Sequence, residues 1–213
     1  YAADFRQGRV EVFDSTFKPV HLSGKDEDDW GDNDHDHGNA DHGRSFNFDD
    51  ERLPKGYAPF NVQNIGGNIY VSFAKQDSAK HDEVDGAGLG FVDVFSPRGR
   101  LLGRLQAGPW FDGPWGMALA SGDFGAFSHD VLVGQFGSGE ILAFDPVTGK
   151  FKGKLMGTNN QPIHIDGLWA IAFGNDASAG PATTLYFAAG PDGESNGLFG
   201  TLTAVENVQG NHQ

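Results

Sequence analysis

Apolar positions along the chain fall in short runs, each closed by Gly, Pro, Asp or Asn, and the runs recur in a fixed order. One row reads Ala58-Pro59-Phe60-Asn61-Val62, Gly113-Pro114-Trp115-Gly116-Met117-Ala118-Leu119 and Gly167-Leu168-Trp169-Ala170-Ile171-Ala172-Phe173. Its aromatic positions 60, 115 and 169 lie 55 and 54 residues apart. A second row is Ile69-Tyr70-Val71-Ser72-Phe73, Val131-Leu132-Val133-Gly134-Gln135 and Leu185-Tyr186-Phe187-Ala188-Ala189. A third is Phe91-Val92-Asp93-Val94-Phe95, Ile141-Leu142-Ala143-Phe144-Asp145 and, more loosely, Leu202-Thr203-Ala204-Val205. A fourth is Leu101-Leu102-Gly103-Arg104-Leu105 and Phe151-Lys152-Gly153-Lys154-Leu155. The runs are too short for a helix, are rich in β-branched and aromatic residues, and are bounded by turn formers. Four short strands recurring in this way predict the blades of a β-propeller. Pro97-Arg98-Gly99 and Pro146-Val147-Thr148-Gly149 read as tight turns between third and fourth strands.

The N-terminal residues enter the pattern late. Tyr1-Ala2-Ala3-Asp4-Phe5 matches the second row, Val10-Glu11-Val12-Phe13-Asp14 the third, and Pro19-Val20-His21-Leu22 stands where the fourth belongs. The expectation is one partial propeller domain over residues 1–213, three nearly complete blades preceded by part of another. Upstream sequence or another polypeptide would close the ring, because open sheet edges invite aggregation. A compact four-bladed ring is the alternative.

Composition supports an all-β protein. Gly numbers 32 of 213 residues and Phe 18, with apolar residues at 38%. The absence of Cys excludes disulfides, Cys-ligated metals and thiol chemistry. Lys plus Arg is 15 against 29 for Asp plus Glu, a net charge of -14. That balance disfavours nucleic acid and anionic membranes as partners. No Gly-x-Ser-x-Gly elbow or phosphate loop occurs, and Ser128-His129-Asp130, as sequence neighbours, makes a poor triad.

Several longer motifs carry a resemblance. Tyr57-Ala58-Pro59-Phe60-Asn61-Val62-Gln63-Asn64-Ile65-Gly66-Gly67, Tyr70-Val71-Ser72-Phe73-Ala74-Lys75-Gln76-Asp77, Gly113-Pro114-Trp115-Gly116 and Ile165-Asp166-Gly167-Leu168-Trp169 are among them. On these the chain resembles a family of uncharacterised, mostly exported bacterial β-propellers related to NHL-repeat proteins. The likeness covers nearly the whole chain except about residues 24–46. It implies a six-bladed ring whose first blades are missing from this chain, and a secreted or periplasmic location. It implies no established activity. Sugar lactonases and peptidyl-hydroxyglycine lyase are relatives by fold alone, and their activities would transfer only by analogy.

Strand order places two sets of loops at one mouth of such a ring. Those entering the inner strands hold Tyr57, Trp110, Asp112, Trp115, His164, Asp166 and Trp169. Those joining second and third strands hold Lys75, Gln76, Asp77, His81, Asp82, Glu83, Gln135, Asp192 and Glu194. Asp77, His81, Asp112, His164, Asp166, Asp192 and Glu194 are therefore candidates for a mouth site. Oxygen ligands with a single imidazole suit Ca²⁺ or a divalent transition metal, and His164 or His81 could serve as ligand or general base. Asp112 and Asp166 have the plainer expectation of capping turns. Trp115 and Trp169 have that of wedging between blades.

Residues 24–46 form an acidic, His-rich insertion within the domain. Between Gly24 and Arg52 there are 11 acids and 3 bases, giving -8 of the total charge, and three of the eight His lie here. Asp32, Asp34, His35, Asp36, His37, Asp41 and His42 are candidate metal ligands. Asp32, Asp34 and Asp36 match EF-hand positions one, three and five. His37 then stands where Gly is needed and Gly43 where the bidentate Glu belongs, so the tract is not an EF-hand. A solvated acidic loop is the other expectation. The function expected is an exported binding or scaffold propeller holding a metal ion, with a protein or small molecule at its mouth. A metal-dependent lyase or lactone or ester hydrolase is the alternative.

Overall fold

The computed structural model describes residues 1–22 and 47–205, and these form an all-β protein. Four antiparallel sheets follow one another in chain order. Sheet I is β1 (Ala2–Asp4) and β2 (Arg9–Glu11). Sheet II is β3 (Tyr57–Ile65), β4 (Asn68–Lys75), β5 (Phe91–Phe95) and β6 (Leu101–Arg104). Sheet III is β7 (Pro114–Leu119), β8 (Val131–Gln135), β9 (Ile141–Phe144) and β10 (Phe151–Lys154). Sheet IV is β11 (Leu168–Phe173), β12 (Thr184–Ala189) and β13 (Leu198–Thr203). The only helical element among the described residues is one 3-10 turn, Gly125–Phe127, and no helix is long and apolar enough to cross a membrane. The sheets do not close into a barrel or ring within these residues.

The expected strands of sheets II and III are all present. Two expectations change. Pro19–Leu22 forms no fourth strand in sheet I, where only a Phe13–Pro19 bridge continues the pairing. The third strand of sheet IV is Leu198–Thr203, not 202–205, because it pairs in unbroken register with β12 from Ala189–Leu198 to Thr184–Thr203. The expected tight turns hold. Asp145 Oδ1 accepts from the Val147 and Thr148 amides at 3.0 and 2.7 Å, and Gly149 takes φ 68°.

Alternation within each central strand sends its side chains to two cores. Ile69, Val71 and Phe73 of β4 face sheet I with Val10, Phe48 and Phe95. Tyr70 and Val92 face sheet III with Leu105, Met117, Val133 and Phe144. Leu132, Ile141 and Ala143 face sheet IV with Leu168, Ile171, Leu185 and Phe187. Each core is thus shared by two neighbouring sheets. Charge enters at two outer points, Asp130 with Lys152 in sheet III and a larger network in sheet II. Asp93, fully buried, and Asp50 share Arg104, at 2.5 and 2.7 Å, while Arg52 clamps Asp50 at 2.8 Å. This network fastens the segment before β3 onto the outer strand of sheet II.

Inner strands come very close. A Cβ on Gly116 of β7 would meet the Trp169 carbonyl oxygen of β11 at 2.5 Å, so side-chain-free backbone is required there.

Candidate functional site

Each inner strand carries an irregularity at the same place. The pairing of β3 with β4 shifts between Pro59 and Asn61, that of β7 with β8 between Pro114 and Met117, and that of β11 with β12 between Leu168 and Ile171. The residues out of register are Phe60, Trp115 with Gly116, and Trp169 with Ala170, so each break holds one member of the aromatic row of the sequence. A β-bulge re-aims a side chain that regular pleating would hold against its own sheet. Here three bulges let three rings from three sheets meet. Trp169 lies 5.8 Å from Phe60 and 5.4 Å edge-on from Trp115. Phe136 joins at 4.4 Å from Trp169, and Phe5 at 5.1 Å from Phe60. The four central rings are half-buried. Trp115 and Trp169 therefore meet edge-on where neighbouring inner strands approach, and both stay half-buried.

The loops at this end hold one another by backbone hydrogen bonds. Gly113 N donates to Leu89 O at 3.1 Å, Gly137 N to Asp112 O at 3.1 Å, Ile165 N to Gly139 O at 2.8 Å and Gly190 N to Gly167 O at 2.8 Å. Carboxylates sit on this frame. Asp112 Oδ1 accepts from Gly86 N at 2.7 Å, and its own amide donates to the buried Gln135 Oε1 at 2.9 Å. Asp166 Oδ2 accepts from Asp192 N at 2.9 Å, tying two loops together. Glu194 Oε1 accepts from Trp169 Nε1 at 2.8 Å and so fixes the central ring. Asp192, Gly193 and Glu194 take φ values of 58°, 60° and 63°, an unusual run of left-handed backbone that carries Glu194 over Trp169.

Two further carboxylates complete the group. Burial pushes Glu83 up, helped by repulsion from Asp85, Asp82 and Glu194. Burial also pushes Asp85 up, with Asp112 adding to it. Among the described residues no Lys or Arg forms an ion pair with Glu83, Asp85, Asp112 or Glu194. The chemistry of this end is an aromatic wall beside uncompensated negative charge.

The remaining candidates make local contacts of their own. Asp77 Oδ1 closes a turn on His81 N at 2.8 Å, and His81 pairs with Asp82 at 3.1 Å in an exposed loop. Donating to the Asp82 carboxylate raises the His81 pKa. His164 Nδ1 donates to Ser138 O at 2.7 Å, which leaves Nε2 as its free nitrogen. Trp110 stacks on Phe151 of β10 at 4.1 Å and belongs to the outer strand, not to the mouth. Among the described residues no three of His, Asp and Glu come together as a metal-holding group. Asp32, Asp34, His35, Asp36, His37, Asp41 and His42 lie outside the described residues. Sequence reasoning missed Phe60, Phe136 and Asp85 as members of the site. Phe60 was legible from its row, whereas Phe136 and Asp85 carry no signal beyond their places in loops.

Comparison with known proteins corrects the expected resemblance. Uncharacterized protein R640 of Acanthamoeba polyphaga mimivirus is 34% identical over 145 residues, covering 67% of this chain and 27% of that protein. Protein L690 of the same virus is 30% identical over 205 residues, covering 95% of this chain and 48% of its own. Protein R648 is 28% identical over 211 residues, covering 95% and 45%. These relatives are viral. They take the place of the exported bacterial NHL-related family suggested by the motifs. The chain spans less than half the length of each. No protein-family model matches. Among solved structures, a glucose dehydrogenase matches 70% of this chain and 41% of its own at 15% identity and a TM-score of 0.40. Hydrazine synthase of Kuenenia stuttgartiensis matches 68% and 46% at 13% identity and 0.37.

Proposed function

We propose that this chain is a binding module in which the four sheets are consecutive blades of a β-propeller, and that the loop end around Trp169 is its ligand face. The observation that carries this reading is the set of three equivalent bulges, which turn Phe60, Trp115 and Trp169 toward one another beside Glu83, Asp85, Asp112 and Glu194. The ligand that suits it is a cationic group on an apolar body, such as a quaternary ammonium or a basic side chain. Cation–π attraction supplies about 0.5–2 kcal/mol per favourable contact, so several rings and carboxylates together are needed for useful affinity. Titration with tetramethylammonium chloride, followed by tryptophan fluorescence, tests it against sodium chloride at equal ionic strength. Saturable quenching with the organic cation alone, lost in Trp169→Ala, is expected. An identical response to both salts overturns the reading.

A metal ion remains part of the proposal at the Asp–His tract, with Ca²⁺ or a divalent transition metal as the candidate. Elemental analysis of the protein with and without residues 26–42 decides it, and unchanged stoichiometry on deletion removes the tract from consideration. His164 favours one second reading, a metal-dependent lyase or lactone or ester hydrolase, because its Nε2 is free at the loop end. Turnover lost in His164→Ala with an unchanged fold would support it. Asp166 is the poorer probe, since its carboxylate holds the 192 loop.

A further inference from the structure

Sheets II and III carry the same cross-strand row, and one of them leaves it uncovered. In sheet II Tyr70 pairs with Val94 and Val94 with Gly103. In sheet III Leu132 pairs with Ala143 and Ala143 with Gly153. Each row faces the next sheet in chain order. In sheet III the row is covered. Leu132 and Ala143 are fully buried, and a Cβ on Gly153 would meet the Phe127 ring at 3.3 and 3.6 Å. Phe127 comes from the connection 120–130 between β7 and β8, through the 3-10 turn Gly125–Phe127, and packs onto the core shared with sheet IV.

The equivalent connection in sheet II, between β3 and β4, is Gly66-Gly67 alone and has no side chain to send. Among the described residues nothing lies within 4 Å of a Cβ built on Gly103. A crevice of about 230 Å³ opens there, lined by Tyr70, Val94 and Gly103 of sheet II and by Val147 and Thr148 in the turn of sheet III. Where Leu132 is wholly apolar, its counterpart ends in a hydroxyl. Tyr70 is 4% exposed, and among the described residues its hydroxyl has no hydrogen-bond partner. Burial pushes its pKa up, so it stays a proton donor well above neutrality. A hydroxyl removed from water without a partner is destabilising, and a ligand that supplies the partner recovers that loss.

We infer that the crevice between sheets II and III binds a small uncharged aromatic molecule bearing one hydroxyl or carbonyl, a phenol-sized ring that lies over Gly103 as Phe127 lies over Gly153 and hydrogen-bonds to the Tyr70 hydroxyl. The protein itself shows that a phenyl ring suits this position in the repeat. The volume limits the ligand to about a single ring, below the roughly 300–1,000 Å³ of sites for larger ligands. Val94, Leu102 and Leu105 supply apolar surface to the ring. Arg104 also lines the crevice, but its guanidinium is engaged by Asp93 and Asp50, which favours an uncharged ligand over an anion. This rests on the comparison of the two sheets and not on the ligand face around Trp169.

The test is fluorine NMR of 4-fluorophenol and of fluorobenzene with the full chain. Wild type is expected to bind 4-fluorophenol saturably and about tenfold more tightly than fluorobenzene, the worth of one hydrogen bond. Tyr70→Phe removes the hydroxyl and keeps the ring, and should erase that preference while leaving fluorobenzene binding as it was. Gly103→Phe supplies the missing plug. It should abolish binding of both compounds and keep or raise the unfolding temperature. Trp169→Ala should change neither affinity. Absence of saturable binding overturns the inference, as does a preference that persists in Tyr70→Phe. Binding that survives Gly103→Phe overturns it equally, and its loss in Trp169→Ala would place the ring at the ligand face instead.

Discussion

Arg104 serves two carboxylates at once, and this makes it the most consequential single residue outside the sheet interiors. Removing it leaves Asp93 buried without its cation and Asp50 with Arg52 alone. Breaking a buried pair from one side costs about 3–5 kcal/mol, and Arg104→Ala is expected near the lower figure because Arg52 remains; urea unfolding measures it. The two acids respond to pH in opposite senses. The hydrogen bond from Arg52 is the main cause holding Asp50 below the ordinary carboxylate range. Its contribution is complete above the unfolded-state value and is lost as pH falls through the lower folded value. Burial pushes Asp93 up, offset in part by Arg104, so its ionisation costs stability as pH rises through the folded value. Thermal melts of wild type and Asp50→Asn should differ near neutrality and converge in acid. At the ligand face the raised carboxylates Glu83 and Asp85 set another expectation. Binding of tetramethylammonium should weaken as pH falls, starting above the ordinary carboxylate range, and titration at several pH values checks this. None of these pairings was legible in the sequence. Asp50 and Arg104 are 54 residues apart, and nothing in either local pattern names the other.

At the scale of elements, the strands of sheets II and III were readable because each run is short, apolar and closed by turn residues whose chemistry is local. The bulges were not. A bulge depends on how two strands register, and the sequence of one strand does not state it. The aromatic row did show that positions 60, 115 and 169 are equivalent, and the bulges explain why equivalence extends to direction. Sheet I was over-read, since Pro19 supports one bridge and no strand. Gly116 tests the convergence of the inner strands. Gly116→Val forces a side chain into the Trp169 backbone, and overpacking of this kind costs about 1–3 kcal/mol. The same variant should move Trp169 and reduce the organic-cation response, so that fluorescence titration and denaturation report two effects of one displacement.

For the whole molecule, two expectations need separating. The repeat pointed to the all-β class correctly, while ring closure depends on surfaces that the described residues leave open at sheets I and IV. The motif likeness pointed to bacteria, and the relatives found are viral. Strand order foresaw that the loops of Asp112, Asp166, Asp192 and Glu194 share one end, but not the aromatic packing beside them. Asp77 and His81 turned out to shape their own loop, while Phe60 and Phe136 supply the wall.

The three cores are each shared by two adjacent sheets and by no others. Stability of such an array accrues unit by unit and from neighbour to neighbour. Growth is then a matter of addition: a duplicated segment finds its binding surface already made on the last sheet and presents the same surface onward. Length becomes a quantity that can change in whole steps while every existing core keeps its residues. Relatives more than twice as long as this chain are what such a grammar permits.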